Sequence, residues 1–175
     1  MLKKEIKICL GLLFCLFFTN VFAQSDNNTD ISASSVVMRQ ADSMGYYFVK
    51  NDFKNFMKYQ HPGFVKLLGG EESLIKTLND NVKKGIQTLN ITNDSPSAPI
   101  ISDTTIQCTV QQTTVMKIGS TKLEYISTLV CVSYDNGSNW YFLNASGSPL
   151  EIIKQVMPEL SSELIIQEQK TRKLD

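Results

Sequence analysis

From Ser35 to Val49 the apolar side chains recur at helical spacing. Val37, Ala41, Met44 and Phe48 fall on one face, with Val36 and Tyr47 beside it, and Ser34 or Ser35 can cap the start. Asn51-Asp52 breaks this helix. Asp52 then caps a second, shorter one carrying Phe53, Phe56 and Met57. His61-Pro62-Gly63 ends it, because the residue before a proline avoids the α region. Phe64, Val65, Leu67 and Leu68 read as an apolar connection. Gly69-Gly70 opens a third helix, with Glu71 and Glu72 at the positive end of its dipole and Leu74, Leu78 and Val82 as its buried row, Ile75 alongside. Lys83 and Lys84 occupy the last turn, and Gly85 suits the left-handed position that stops it.

Beyond Gly85 the period shortens to two. Thr88 to Thr92 read as a short strand, and Ile100-Ile101 begins another that Ser102-Asp103 interrupts. Thr104 to Ile118, Thr121 to Tyr134 and Asn139 to Asn144 are further strands. Asn136-Gly137 suits a two-residue type I′ turn, which needs positive φ at both residues. With Gly119-Ser120 as the other turn, Cys108 faces Cys131, Val110 faces Leu129, Met116 faces Leu123, and Cys131 faces Phe142. These registers put Cys108, Val110, Met116, Leu123, Leu129, Cys131, Trp140 and Phe142 on one apolar face. The opposite face carries Gln107, Thr109, Gln111, Thr113, Lys122 and Thr128, with Val115, Ile126, Val130, Val132 and Tyr141 among them. The pattern predicts an α+β fold with helices packed on one side of an antiparallel sheet. A last helix opens at Ser148-Pro149, with Leu150, Ile153, Val156 and Met157 as its apolar side, and Pro158 ends it. The charged end from Lys170 to Asp175 reads as a mobile tail.

The N-terminus alters the picture of where this fold resides. Lys3, Lys4 and Lys7 precede an apolar run from Ile8 to Phe18, too short for a comfortable membrane span, and Ala23 offers a small residue before a cut. Residues 1–23 therefore read as a signal peptide, 24–34 as a disordered Ser-, Asn- and Asp-rich lead-in, 35–147 as one domain, and 148–175 as a C-terminal helix and tail. The mature chain is expected in the periplasm or outside the cell, with no membrane span. Residues 1–23 hold three Lys and one Glu of the chain's 17 basic and 17 acidic residues, so the remainder has a net charge of −2. That balance excludes the dense basic patch that nucleic acid requires.

His61 is the single histidine and a weak candidate for a general acid or base. Asp42, Tyr46, Tyr47 and Asp103 are possible partners in kind, but no spacing ties any of them to it. Cys108 and Cys131, opposed on adjacent strands, either form a disulfide or remain two buried thiols. One histidine and no clustered carboxylates argue against a metal site, and no cofactor motif is present: Gly69-Gly70 lacks the Lys and Ser/Thr that complete a phosphate loop. The aromatic set, Tyr46, Tyr47, Phe48, Phe53, Phe56, Trp140 and Phe142, either lines a ligand cavity or fills a core.

The order of helices then sheet, together with Asp52-Phe53, His61-Pro62, Gly69-Gly70-Glu71 and Trp140-Tyr141-Phe142, resembles small exported members of the NTF2-like superfamily, the cystatin-like α+β cones, over residues 35–147. The resemblance implies three N-terminal helices on a curved antiparallel sheet, a pocket open at one end, and a C-terminal helical extension. Ligand-pocket candidates are then Tyr47, His61, Cys108, Cys131, Trp140 and Phe142. Members of that superfamily include isomerases, dehydratases, ligand binders and association domains, so membership alone does not assign an activity. The expected function is non-catalytic binding of a small apolar or amphipathic ligand, or of a protein partner. The alternative is an acid–base isomerase or dehydratase using His61. The resemblance also favours a homodimer through the mixed face bearing Val115, Ile126, Val130, Val132 and Tyr141, against the competing possibility that the helix from Pro149 to Met157 folds back over it.

Overall fold

The computed structural model describes residues 26–146 and 148–174. The segment 1–23, expected to be a signal peptide, lies outside them. Among the described residues the chain is α+β, with five helices and one open antiparallel sheet of six strands.

Helix α1 runs Asp26–Val49, so the polar lead-in contributes its residues from Asp26 to this helix instead of remaining a coil. Asn51, at φ 56°, breaks it. Helix α2 is Phe53–Met57, capped by Asp52, whose carboxylate accepts from the Asn55 backbone N–H. Helix α3, Pro62–Leu67, replaces the expected apolar connection. Pro62 stands at its first position, where a missing N–H costs nothing, so His61-Pro62 starts a helix where the sequence had suggested only an ending. Helix α4 is Glu71–Lys83, and its apolar row of Leu74, Leu78 and Val82 is half-buried instead of buried. It packs only lightly, against α2, α3 and the first strand.

The sheet is built on one long hairpin. Strands β3 (Ile106–Ile118) and β4 (Thr121–Ser133) pair without a break from Ile118↔Thr121 to Ile106↔Ser133, through Met116↔Leu123, Val110↔Leu129 and Cys108↔Cys131. Shorter strands divide the two outer edges of this hairpin. β1 (Ile86–Asn93) and β2 (Ile100–Ile101) flank β3. β5 (Tyr141–Asn144) and β6 (Lys170–Leu174) flank β4. Cys131 faces Phe142 as the two-residue turn requires, and Asn136 and Gly137 have φ 56° and 84°. The ends nearest that turn are splayed, however. The Ser133 hydroxyl accepts from the Gly137 N–H at 2.8 Å, and Asp135 accepts from the Asn139 N–H at 2.8 Å, so side chains replace the last rungs.

One face of the sheet packs on α1. Val37, Ala41 and Met44 bury against Cys108, Val110, Leu129, Cys131, Trp140 and Phe142. The opposite face is covered by the chain's own C-terminal segment. Helix α5 (Leu150–Val156) and the residues after it place Ile153 and Met157 on Val130, Val132, Leu143 and Ala145, with Tyr141, Leu160, Leu164 and Ile166 around them. The folded-back helix is therefore the account that holds for Val130, Val132 and Tyr141. This face is also drier than its Gln and Thr content suggested. Gln107 and Thr128 are buried because they serve the irregular segment above them: the Gln107 amide donates to the Glu159 carbonyl at 2.8 Å and accepts from the Ser161 N–H at 3.0 Å, and Thr128 Oγ1 accepts from the Gln167 N–H at 3.1 Å. The expected mobile tail is instead β6, whose Arg172 pairs with Glu124 at 2.9 Å. No helix among the described residues is long and apolar enough to cross a membrane.

Candidate functional site

On the α1 face, beyond the packed core, the sheet and helices line an open-sided cavity of about 330 Å³. That size is at the lower end for small-molecule pockets. Met44, Gly45 and Phe48 of α1 and Phe56 of α2 form one wall, and Ile91 of β1 another. Gly45 allows this arrangement: a Cβ there would meet the Ile91 side chain at 2.9 Å, so a larger residue would hold helix and strand apart. Phe48 and Phe56 meet edge to face at 4.8 Å between ring centroids.

The floor comes from alternate residues of the central strands: Gln112, Thr114 and Met116 of β3, Tyr125, Ser127 and Leu129 of β4, and Phe142 and Asn144 of β5. Gln60 and Gln169 complete the rim. The wall thus mixes apolar side chains with neutral amides and hydroxyls, and none of its residues is Lys, Arg, His, Asp or Glu. Several of the polar groups hold one another. Asn144 Nδ2 donates to Ser127 Oγ at 3.2 Å, Gln60 Nε2 approaches Met44 Sδ at 3.2 Å, and Gln112 Nε2 donates to Asn93 Oδ1 at 3.0 Å.

Of the residues singled out from the sequence as pocket candidates, Phe142 lines this cavity. Cys108, Cys131 and Trp140 are buried in the adjoining core. Both thiols are free, and burial pushes the Cys131 thiol well up, with Cys108 as its neighbour. The Trp140 indole N–H donates to the Gly137 carbonyl at 3.0 Å. Tyr47 stacks on Tyr59 at 6.2 Å, outside the cavity wall.

His61 is buried beneath α5, away from the cavity wall. Its Nε2 lies 2.9 Å from the Tyr134 hydroxyl, which in turn donates to Glu159 Oε1. Because Tyr134 spends its proton on the carboxylate, its oxygen receives the Nε2–H, and Nδ1 is left as the bare nitrogen. Nδ1 is buried with no hydrogen-bond partner among the described residues. Burial lowers the His61 pKa, and Glu159 opposes that shift in part. Burial, aided by Glu159, raises that of Tyr134. Neither Tyr134 nor Glu159 has a spacing relative to His61 that marks it in the sequence. Asp42, by contrast, accepts from Asn93 Nδ2 at 2.9 Å.

Among the described residues no group of three or more His, Cys, Asp or Glu side chains is placed to hold a metal ion. Comparison with protein-family models, with curated proteins and with solved structures finds no match to this chain.

Proposed function

We propose that this protein is an exported NTF2-like domain that binds a small apolar or amphipathic molecule in the cavity between α1 and the sheet, without chemical conversion. The observation that carries the reading is the cavity wall: Met116, Leu129 and Phe142 set among neutral amides and hydroxyls, and no side chain of the kind that exchanges protons near neutral pH. The cone-like fold is supported by the order of helices and strands and by the cavity's place against α1. The acid–base alternative has less support, since His61 and Glu159 meet through Tyr134, and none of the three lines the cavity. With α5 covering Val130 and Val132, a ligand in the cavity is also better supported than association through that face.

Native mass spectrometry of the gently isolated chain tests the reading, with a non-covalent adduct in the small-molecule range as the expected result. Thr114→Phe fills the cavity from a strand position where phenylalanine is well tolerated, and the Thr114 hydroxyl makes no hydrogen bond with a described residue. The folded variant is expected to lose both the adduct and the binding of an apolar fluorescent probe; retention of both would overturn the assignment. Export rests on the basic and apolar N-terminal pattern, and N-terminal sequencing of the chain recovered outside the cytoplasm should begin at Gln24.

A further inference from the structure

We infer that the cavity selects uncharged amphiphiles bearing an O–H or N–H donor, through an acceptor that the chain Asp42–Asn93–Gln112 holds at its wall. The inference rests on the ligand-binding reading above and narrows it to a chemical class.

The argument begins at the surface. Asp42 is exposed on α1, and its carboxylate can only accept hydrogen bonds. Asn93 must therefore turn its NH₂ group outward, and its Nδ2 donates to Asp42 Oδ1 at 2.9 Å. That choice leaves Asn93 Oδ1 facing the sheet, where it accepts from Gln112 Nε2 at 3.0 Å across the directly paired positions Asn93↔Gln112. Gln112 Nε2 is thereby held toward Asn93 with one of its two N–H groups engaged, and its carbonyl Oε1 is turned to the other side. Oε1 has no hydrogen-bond partner among the described residues, and Gln112, 6% exposed, is one of the residues that line the cavity. A surface charge fixes, through two amides, which end of a buried third group meets the ligand.

Each ligand class then fares differently. An alcohol or amide N–H satisfies Oε1 while its tail lies against Met116, Leu129 and Phe142. An ether or hydrocarbon fills the same space and leaves the carbonyl unpaired. A carboxylate finds no cation in the wall, and an ammonium finds no carboxylate there, so either would be buried without a counter-charge.

Titration calorimetry of the full chain with n-decanol, decanoate and methyl decyl ether separates these cases. The alcohol should bind about tenfold more tightly than the ether, the ratio one hydrogen bond supplies, and decanoate more weakly still. Asp42→Asn removes the carboxylate that sets the direction of the chain, and as a surface change it should leave the circular dichroism spectrum intact. In that variant Gln112 is free to turn over, so the preference for alcohol over ether should shrink to about twofold, within the scatter of a single neutral contact. If the ether or decanoate matches the alcohol in the unaltered chain, the donor requirement is overturned and the cavity remains a binding site. An alcohol preference that survives Asp42→Asn overturns the role of the relay. If none of the three binds, the inference falls together with the ligand-binding reading.

Discussion

His61 Nε2 lies 2.9 Å from the hydroxyl of Tyr134, a residue 73 positions further along the chain. The contact joins the start of α3 to the end of β4, and Glu159 extends it into the segment after α5. The backbone N–H of His61 donates to the Phe142 carbonyl at 3.1 Å, so the same residue also fastens the edge of β5.

Stability should follow the protonation of His61. Burial lowers its pKa in the folded state from an ordinary value of 6.5. The unfolded chain then binds the proton more readily, and stability is fully present above the unfolded value and declines as pH falls below it. The groups that face the ring are Tyr134 and Glu159, with Tyr141 behind Tyr134, and only Glu159 opposes the shift. Thermal melts between pH 7.5 and 5 are expected to show a falling midpoint, in the range where a histidine titrates. In His61→Gln the slope across that window should flatten; an unchanged slope would assign it to other groups.

Trp140 is 2% exposed, with its backbone N–H donating to Gln40 Oε1 at 2.8 Å and its indole to Gly137. Trp140→Ala should therefore cost about 3–5 kcal/mol, the range for truncating a buried aromatic. Urea unfolding followed by circular dichroism measures it, with a loss below about 1 kcal/mol as the contrary result.

Deleting residues 148–175 removes α5, β6 and the segment between them. Val130, Val132 and Leu143 would then face water on an otherwise ordered sheet, and β4 would gain a free edge at positions 122–126. The truncated chain is expected to self-associate at micromolar concentration. Light scattering compares it with the full chain, and equal masses at equal concentration would contradict the covering role.

The thiols of Cys108 and Cys131 are free, 2% and 0% exposed, and burial holds that of Cys131 in its neutral form. Since the thiolate is the reactive species, alkylation should modify both only after unfolding. Peptide mass mapping before and after denaturant gives the readout, and rapid labelling of the native chain would show that this part of the core opens readily.

Much of the central sheet was legible along the chain, for a local reason. Side chains alternate with a period of two, so once Gly119-Ser120 and Asn136-Gly137 set the turns, every pair from Met116↔Leu123 to Cys131↔Phe142 followed. The caps at Asp52 and the stop near Gly85 were equally local, set by short-range geometry. The same alternation carried a signal for the cavity that apolar patterning alone passes over: Gln112 and Thr114 interrupt the row that runs Cys108, Val110, Met116, and Tyr125 and Ser127 stand in the facing row. Polar residues in a core-facing row call for a partner or an opening. What no local pattern contains are the contacts between distant segments. The 170–174 segment is strongly charged and resembles a tail until β4 offers it an unpaired edge. His61 meets Tyr134, and Asp42 reaches Gln112 through Asn93, across separations at which residue type and spacing carry no mutual constraint. Backbone hydrogen bonding and side-chain alternation act between neighbours in the chain, whereas the cavity and its polar relay exist only once packing has brought α1, β1 and β3 together.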